Sequence, residues 1–401
     1  MSDRQYNQVH GGREQRFPIV GIGTSAGGLE VLKELFTAMP ADSGMAFVVI
    51  QHLDPSHVSH MSELLAKFTD MRVAQAEDQM ALEANSVYTI PPNKFLGLAE
   101  GTLHLTEPVK RDGVRMPIDF FFRSLAEDQR EKAICVLLSG SGSDGTLGIR
   151  EIRGAGGMIM AQDPETAQFD SMSRSAIATG LVDYVLPVAE MPGALIKYVQ
   201  QSYVRAGNKA ETEERTNGLN AIVSLLAEKT QSDFSPYKKA TLLRRIERRM
   251  GLNHMDDVSD YLAFLRQDPD EVARLAKDML INVSSFFRDA EAFVELREKV
   301  LTPLIAEKNN NNPLRVWVPG CATGEEAYSI AMLLLEELGA ARKNCPIQLF
   351  ASDMDPETVR FAREGLYPES IATATFPKND SSASLPKPIR ATRSPNNCVK
   401  R

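Results

Sequence analysis

The residue types that carry out acyl transfer, a serine, a histidine and an aspartate, each follow an apolar run in this chain. They are Ser25, His52 and Asp144. The runs before them, all rich in branched apolar residues, are Pro18–Gly23, Met45–Ile50 and Ala133–Leu138. A parallel α/β sheet gathers the loops after its strands at one edge, so the three side chains are expected to meet in one crevice. A hydroxyl, an imidazole and a carboxylate in one crevice could form a nucleophilic triad.

The segment Gly23–Gly27 fits the pattern G-x-S-x-G between a strand and a helix. Its glycines permit the sharp turn that exposes a serine hydroxyl, and the next helix offers N–H groups to an oxyanion. In this interpretation His52 removes the proton of Ser25, and Asp144 fixes the imidazole tautomer. The chain order Ser, His, Asp differs from that of α/β-hydrolases, but a triad is defined by geometry.

Gly21–Ala26 also fits a second pattern, the dinucleotide fingerprint G-x-G-x-x-G/A, with about equal weight. That fingerprint expects an acidic residue at the end of the next strand. Here the next strand ends in Gln51-His52, without an acidic residue, which weakens the interpretation of this loop as a dinucleotide-binding site.

Two other functions of the same residues stay open at this point. His52, His57 and His60 are close enough along the chain to suggest a metal cluster, although no supporting carboxylate pattern accompanies them, and we expect no metal. Asp144 follows glycines and could simply cap the next helix.

The elements that must position these residues divide the chain of 401 residues into several regions. Strand-like and helical segments alternate from 17 to 204, which predicts an α/β fold with a doubly wound, mainly parallel sheet. A small helical domain and a partial Rossmann-like unit are expected to follow. The remaining boundaries are a flexible tail at 1–16, a linker at 205–217, the helical region at 218–288, the partial unit at 289–371 and a disordered tail at 372–401.

Composition excludes several classes of function. The formal charge of −8 argues against nucleic-acid binding, which favours a basic surface. No apolar run reaches membrane-spanning length, so no membrane insertion is expected. The polar N-terminus has no apolar signal core, and the four cysteines show no paired spacing; both observations predict a reduced, cytoplasmic setting.

Several ordered motifs over about residues 17–200 resemble the catalytic domain of the chemotaxis protein-glutamate methylesterase family (CheB type). They include IVGIGTSAGG, VVIQHL, PIDFFFRSLA and LLSGSGSDGT. The resemblance implies that Ser25 is the nucleophile, His52 the general base and Asp144 the triad aspartate, with N–H groups near Ala26 and Ser141 as oxyanion candidates. It also implies an esterase without a cofactor that hydrolyses glutamyl methyl esters on methyl-accepting chemoreceptor-like signalling proteins. Many members of the family also deamidate glutamines.

Residues of about 216–371 resemble a second family, the chemotaxis receptor methyltransferases (CheR type). The motifs are SPYKKATLLRRIERRMGLN, INVSSFFRDAEAF, RVWVPGCATGEEAYSIAMLL and IQLFASDMD. The resemblance implies S-adenosylmethionine as a cofactor of this part. The family's cofactor-binding residues fall on Asn282, Ser284, Arg288, Glu326 and Asp353.

The chain departs from these families in ways that shape the expectations. A tail of about 16 residues precedes the first strand, where familiar esterases carry a receiver domain, so we expect control other than phosphorylation of a receiver in this chain. The methyltransferase part looks truncated and is expected to be inactive. A basic helix face is expected to be solvated, or to dock acidic receptor helices; its residues are Arg244, Arg245, Arg248 and Arg249.

These observations predict a protein-glutamate methylesterase with a Ser-His-Asp triad. Two alternatives come from other classes of function. One is a non-catalytic scaffold that binds receptor helices, and the other is a residual S-adenosylmethionine-dependent protein-glutamate methyltransferase.

Overall fold

The computed structural model describes residues 17–52, 60–107, 115–201, 213–280, 284–308, 312–365 and 367. The chain folds as two compact units. The first comprises residues 1–110 and 115–281, and the second comprises 111–114 and 282–401. The predicted tails at 1–16 and 372–401 lie outside the described residues.

The first unit is built around a parallel sheet. In chain order its described strands are β1 (Ile19–Thr24), β2 (Ala46–Gln51), β3 (Arg72–Gln75), β4 (Met80–Ala81), β5 (Ser86–Thr89), β6 (Phe95–Ala99), β7 (Thr102–Thr106), β8 (Ile134–Leu137), β9 (Met158–Gln162) and β10 (Tyr184–Leu186). The order β10-β9-β8-β1-β2-β5-β3 forms a seven-stranded sheet of these residues, and every neighbouring pair in it is parallel. Strands β4, β7 and β6 form a small antiparallel sheet.

Helices cover both faces of the parallel sheet. They are α1 (Gly28–Ala38), α2 (Met61–Leu65), α3 (Pro117–Gln129), α4 (Thr146–Ala155), α5 (Ser171–Ala178) and α6 (Met191–Val199), with 3₁₀ turns at Arg130–Lys132, Pro164–Thr166 and Val188–Glu190. In β1 the side chains alternate between two apolar cores, with Val20 and Ile22 in one and Ile19 in the other. Burial on both faces explains why these strands are continuous apolar runs. The doubly wound fold predicted from the sequence is confirmed.

The three strands that precede the candidate triad lie side by side in the sheet. Gly23 pairs with Ile50 of β2 and with Leu137 of β8, in parallel register. The loops after β1, β2 and β8 therefore leave the sheet at the same edge. The predicted runs match these strands to within one residue at each end.

Helix α3 packs closely on the end of β1 because a glycine stands there. A Cβ atom on Gly23 would lie 2.5 Å from Ile118 Cγ2 and 2.9 Å from Leu137 Cδ2. A Cβ atom on Gly145, whose φ is 92°, would lie 3.0 Å from Ile118 Cγ2 and 2.6 Å from Leu137 Cδ2. These close contacts bring the N-terminus of α3 to the loop that carries Asp144.

The rest of the first unit is helical. Its helices are α7 (Glu213–Thr230), α8 (Lys239–Leu252), α9 (Val258–Gln267) and α10 (Pro269–Met279). Their shared core includes Ile222, Phe234, Ile246 and Leu275. The predicted linker at 205–217 is too long at its C-terminal end, because α7 already begins at Glu213.

The expectation that four arginines form a solvated basic face is wrong. Arg248 is completely buried, and Arg245 and Arg249 are 6% and 8% exposed. Arg249 pairs with the buried carboxylate of Glu271, with Nε donating to Oε1 at 2.8 Å. Helical periodicity alone could not distinguish a solvated face from one that packs against other elements.

The second unit contains a two-stranded parallel sheet of β11 (Leu314–Pro319) and β12 (Ile347–Ser352). Its helices are α11 (Ala290–Glu295), a π-helical turn at Leu296–Leu301, α12 (Thr302–Glu307), α13 (Glu325–Ala340) and α14 (Pro356–Glu364). Trp317 and Phe350 are 69% and 56% exposed on the strands. Among the described residues, no helix combines the length and apolarity needed to cross a bilayer.

The contacts of Gly23 lead to a prediction about stability. Gly23→Ala should lower the free energy of unfolding by about 1–3 kcal/mol, because the added methyl group overpacks the contact with Ile118. Chemical denaturation of both proteins measures the change. Gly193→Ala is the matched control, since a Cβ atom there meets nothing within 4 Å. Equal stability of the Gly23 variant and the wild type would contradict the prediction.

Candidate active site

The hydroxyl of Ser25 lies against the imidazole of His52. Ser25 Oγ is 3.2 Å from His52 Nδ1. Ser25 stands one residue after the end of β1, and His52 stands one residue after the end of β2. The neighbouring positions of the two strands therefore produce the contact, as the sequence led us to expect.

The other nitrogen of the same ring faces the carboxylate of Asp144. His52 Nε2 is 2.8 Å from Asp144 Oδ2. Because an ionised carboxylate accepts hydrogen bonds, this contact favours a proton on Nε2 and leaves Nδ1 able to accept from Ser25. In the serine-protease triad, Nε2 of the histidine faces the serine and Nδ1 faces the aspartate. Here Nδ1 faces Ser25 and Nε2 faces Asp144, so the two nitrogens are exchanged.

Three backbone N–H groups hold the Asp144 carboxylate, which is 2% exposed. Oδ2 accepts from the N–H of Ile118 at 2.9 Å, and Oδ1 accepts from those of Asp119 and Gly145, both at 2.9 Å. Two of these donors are in the first turn of α3. Three N–H partners hold the carboxylate of Asp144 in one orientation relative to His52.

The turn that presents Ser25 is fixed by the loop after β8. The N–H of Ser25 donates to Ser139 O at 3.1 Å, and Thr24 Oγ1 donates to the same oxygen at 2.8 Å. Ser139 is held in turn by Gln162, whose Oε1 accepts from the Ser139 N–H at 2.8 Å. No motif pointed to Ser139 or Gln162, because each contact joins a backbone group to a residue far away along the chain.

A crevice of about 450 Å³ opens beside the serine. It is lined by Ser25, Ala26, Gly27, Gly28, Leu29, Glu30, Gln51 and His52. The His52 side chain is 31% exposed, so the imidazole borders both the interior and the solvent. Within the described part of the chain, the N–H groups of Ala26 and Ser141 donate no hydrogen bond. The N–H of Gly140, the residue before Ser141, donates to Phe169 O at 2.9 Å.

A second buried carboxyl group, which the sequence did not point to, lies next to Asp144. Asp119 is 4% exposed, and its Oδ1 accepts from the N–H of Gly148 at 2.6 Å. Burial, and next to it the charge of Asp144, raises the pKa of Asp119 to about 8. Asp119 is therefore protonated at neutral pH, and Asp144 can carry its negative charge without a charged neighbour.

The predicted cofactor residues of the second unit lie partly on one loop. Asp353 follows β12, and its Oδ2 accepts from the N–H of Ala322 at 2.8 Å in the loop after β11. Glu326 is exposed on the first turn of α13, while its neighbour Glu325 is 1% exposed. These positions agree with a Rossmann-like loop, in which an acidic residue at the second strand end faces the turn after the first.

The remaining predicted residues of this set are less closely connected to the loop. Ser284 is half-buried, and Arg288 is exposed. Between them, the N–H of Phe287 donates to Ser329 Oγ of α13 at 3.0 Å, which joins this segment to the helix after the loop. Asn282 lies outside the described residues.

Of the three histidines considered as a metal cluster, the structure describes His52 and His60, and they have different partners. His52 is in the triad contact, and His60 Nδ1 is 3.1 Å from Glu63 Oε2. His57 lies outside the described residues. Across the described ranges, no group of three or more His, Cys, Asp or Glu side chains is arranged to hold a metal ion.

Comparison with known proteins matches three family models in succession. CheB methylesterase matches residues 20–195, the CheR methyltransferase all-alpha domain matches 217–280, and the CheR methyltransferase SAM binding domain matches 282–385. The last match extends beyond residue 371, where the resemblance noted in the sequence ends.

Individual proteins also resemble parts of this chain. A 104.1 kDa uncharacterized protein of Rhodobacter capsulatus is 41% identical over 78% of this chain, which spans 35% of that protein. A Leptospira interrogans relative, provisionally named a protein-glutamate methylesterase/protein-glutamine glutaminase, is 30% identical over 46% of this chain and 97% of its own length. The solved catalytic domain of the Thermotoga maritima CheB methylesterase is 33% identical over 45% of this chain and 98% of that chain, with a TM-score of 0.43.

The parallel sheet brings a serine hydroxyl, an imidazole and a carboxylate into contact at its carboxyl edge, a geometry that could support acyl transfer. The chain belongs to the CheB methylesterase family, and this part is followed by the two CheR methyltransferase domains.

The raised pKa of Asp119 leads to a prediction about pH. Between the ordinary carboxyl pKa and about 8, the folded chain binds one proton more than the unfolded chain at this group, so stability falls as pH rises. Asp119→Asn removes this titration. The stability of the variant relative to wild type should therefore rise by about 1.4 kcal/mol per pH unit between pH 5 and pH 7.

Urea denaturation of both proteins at several pH values measures this difference. Glu127→Gln is the matched control, because Glu127 is an exposed carboxylate on the same helix. A constant difference between wild type and Asp119→Asn across the pH range would show that Asp119 is ionised in the folded protein.

Proposed function

We propose that residues 17–204 form a serine esterase that hydrolyses glutamyl methyl esters of proteins. The observation that carries the proposal is the continuous contact from Ser25 through His52 to Asp144 beside an open crevice. Membership in the CheB methylesterase family supports the reaction class.

In the first step of the proposed reaction, Ser25 Oγ attacks the carbonyl carbon of the γ-glutamyl methyl ester. His52 Nδ1 accepts the proton of the hydroxyl, and Asp144 stabilises the imidazolium that results. The N–H groups of Ala26 and Ser141 are the proposed donors to the oxyanion. His52 then returns the proton to the methoxide leaving group, so methanol departs and an acyl-enzyme ester remains on Ser25.

In the second step, a water molecule attacks the acyl-enzyme. His52 accepts a proton from that water and then gives it to Ser25 Oγ when the acyl–oxygen bond breaks. The product is a free γ-carboxyl group, and Ser25 is restored. The same sequence acting on a glutamine side chain would release ammonia, so deamidation is a second reaction of the same proposed site.

The proposed substrates are glutamyl methyl esters on chemoreceptor-like signalling helices, in the cytoplasmic setting that the sequence predicts. The scaffold alternative shares this partner but has no turnover. The geometry favours the esterase, because a binding surface has no need of a serine hydroxyl aligned with an imidazole and a buried carboxylate.

The nucleophile is tested by substitution. Ser25→Ala should abolish methanol release from methylated receptor membranes, because it removes the attacking oxygen. Loss of a triad nucleophile lowers kcat by about 10⁶-fold in a well-studied serine protease. The measurement is methanol release at equal protein concentration, with circular dichroism to compare the folds.

Ser224→Ala is the matched control, because Ser224 is an exposed serine on α7. Full activity of Ser25→Ala would remove Ser25 from its role. Receptor binding by the wild type without methanol release would instead favour the scaffold.

We also propose that the second unit binds S-adenosylmethionine, a methyl-group donor. The fit rests on Asp353, which would accept hydrogen bonds from ribose hydroxyls, and on the loop after β11. Gly320 has a φ of 66° in this loop, and a Cβ atom there would meet nothing within 4 Å. The loop therefore leaves open space beside the strand ends for a ligand.

Calorimetric titration with S-adenosylmethionine tests this proposal. The wild type should bind the cofactor, and Asp353→Asn should bind it at least about tenfold more weakly, since loss of a hydrogen bond to a charged acceptor costs roughly 1.5–3 kcal/mol. Glu364→Gln, a charge change at the end of α14, is the control. No heat of binding with the wild type would refute the proposal.

A further inference from the structure

Four charged side chains form a closed ring in the interior of the first unit. The ring consists of Arg153, Asp183, Arg248 and Asp278, and we call it the Arg–Asp ring. Each of the four side chains is 7% exposed or less. It lies outside the candidate active site and includes one of the arginines expected on a solvated face.

In the Arg–Asp ring each guanidinium bridges both carboxylates. Arg248 Nη1 donates to Asp278 Oδ2 at 2.9 Å, and Arg248 Nη2 donates to Asp183 Oδ2 at 2.5 Å. Arg153 donates from Nη1 to Asp183 Oδ1 and from Nη2 to Asp278 Oδ1. Positive and negative groups alternate, and the net charge of the ring is zero.

The Arg–Asp ring joins two domains of the first unit. Arg153 and Asp183 belong to the methylesterase domain, whereas Arg248 and Asp278 belong to α8 and α10 of the helical domain. Two of the four ion pairs therefore cross between the domains, and each domain supplies one charge of each sign.

Uncharged groups extend the same interface. Arg248 Nε and Nη2 both donate to the carbonyl oxygen of Gly157, at 3.0 Å and 2.9 Å. Tyr184 Oη donates to the carbonyl oxygen of Leu252, at the C-terminal end of α8, at 2.7 Å. The three guanidinium nitrogens of Arg248 thus donate to acceptors in both domains. A partner surface must place its acceptors at matching positions to replace these contacts.

The interface lies at the end of the sheet opposite the triad. Gly157 immediately precedes β9, and Asp183 immediately precedes β10, so both stand at the amino ends of parallel strands. Ser25, His52 and Asp144 follow the carboxyl ends of β1, β2 and β8. Docking of the helical domain therefore leaves the catalytic edge uncovered by this contact.

The electrostatics make the contact specific. Burial opposes the charge of Arg248, but Asp183 and Asp278 outweigh burial and raise its pKa above the ordinary value. Burial likewise opposes the charge of Asp183, whose pKa Arg248 and Arg153 nevertheless lower. Buried charges are tolerated when paired, and removal of one partner leaves an uncompensated charge. A surface without a matching carboxylate and carbonyl could not replace the methylesterase domain.

We propose that α8 is a docking element for the methylesterase domain, which holds the helical domain at the sheet end remote from the triad. Arg248 of α8 then binds this internal partner instead of an acidic receptor helix. The inference does not depend on the esterase reaction, because it concerns the opposite end of the sheet.

Cleavage of the full chain between the two domains tests the proposal. A specific protease site introduced within residues 205–211 allows the chain to be cut after it has folded. The two fragments of the wild type should co-elute in size-exclusion chromatography at micromolar concentration. They should still co-elute in about 0.5 M NaCl, because salt screens buried ion pairs far less than exposed ones. Separation of the wild-type fragments would overturn the proposal.

Variants then ask whether the Arg–Asp ring holds the fragments together. Asp183→Asn removes the charge that Arg248 meets across the interface, while Arg248 and Asp278 of the helical domain keep their own pair. The co-eluting fraction of the cut Asp183→Asn chain should fall at least tenfold. Arg248→Met should do the same, and circular dichroism before cleavage shows whether that variant folds.

Lys239→Met is the matched control, because it removes one exposed positive charge from the first turn of the same helix. Its fragments should co-elute as those of the wild type do. Undiminished co-elution of the cut Asp183→Asn chain would show that the ring does not hold the domains, and would overturn its assignment as the docking contact.

Discussion

The fixed carboxylate of Asp144 is the interaction on which the candidate site depends. Its two oxygens accept three backbone N–H groups, two of them from the first turn of α3, and it also faces His52 Nε2. This arrangement requires α3 to lie close to the end of β1, and Gly23 and Gly145 make the approach possible. The packing of α3 on the sheet therefore also determines the geometry of the candidate site at this edge.

Asp119, in the first turn of α3, is part of the same packed region. Its backbone N–H supports Asp144, while its side chain is buried beside the triad aspartate and has its pKa raised to about 8. Two adjacent buried carboxylates cannot both be ionised at low cost, so repulsion from Asp144 adds to burial in favouring the protonated form of Asp119. Both aspartates are buried, and their hydrogen-bond partners distinguish them: Asp144 accepts three backbone N–H groups, whereas Asp119 accepts from that of Gly148.

Buried charge has a structural function at the other end of the same sheet. The Arg–Asp ring joins the methylesterase and helical domains through alternating pairs. Exposed ion pairs contribute little to stability, whereas a buried ring of fixed geometry selects one partner surface. The candidate site and the Arg–Asp ring lie at opposite ends of the strands, so one sheet can carry both.

The sequence by itself indicated the three strands before the candidate site, a mainly parallel sheet, and Ser25, His52 and Asp144 as candidates, because continuous apolar runs and glycine-rich loops are local signals. It also indicated both families, through motifs that survive in order along the chain. Tertiary structure alone decided the roles of Asp119, Ser139 and Gln162, which act through burial and backbone contacts. It also reversed the expectation for Arg248, since helical spacing shows that arginines share a face but not what that face meets. Pairing with Asp183 joins residues 65 positions apart, and no local pattern can encode it.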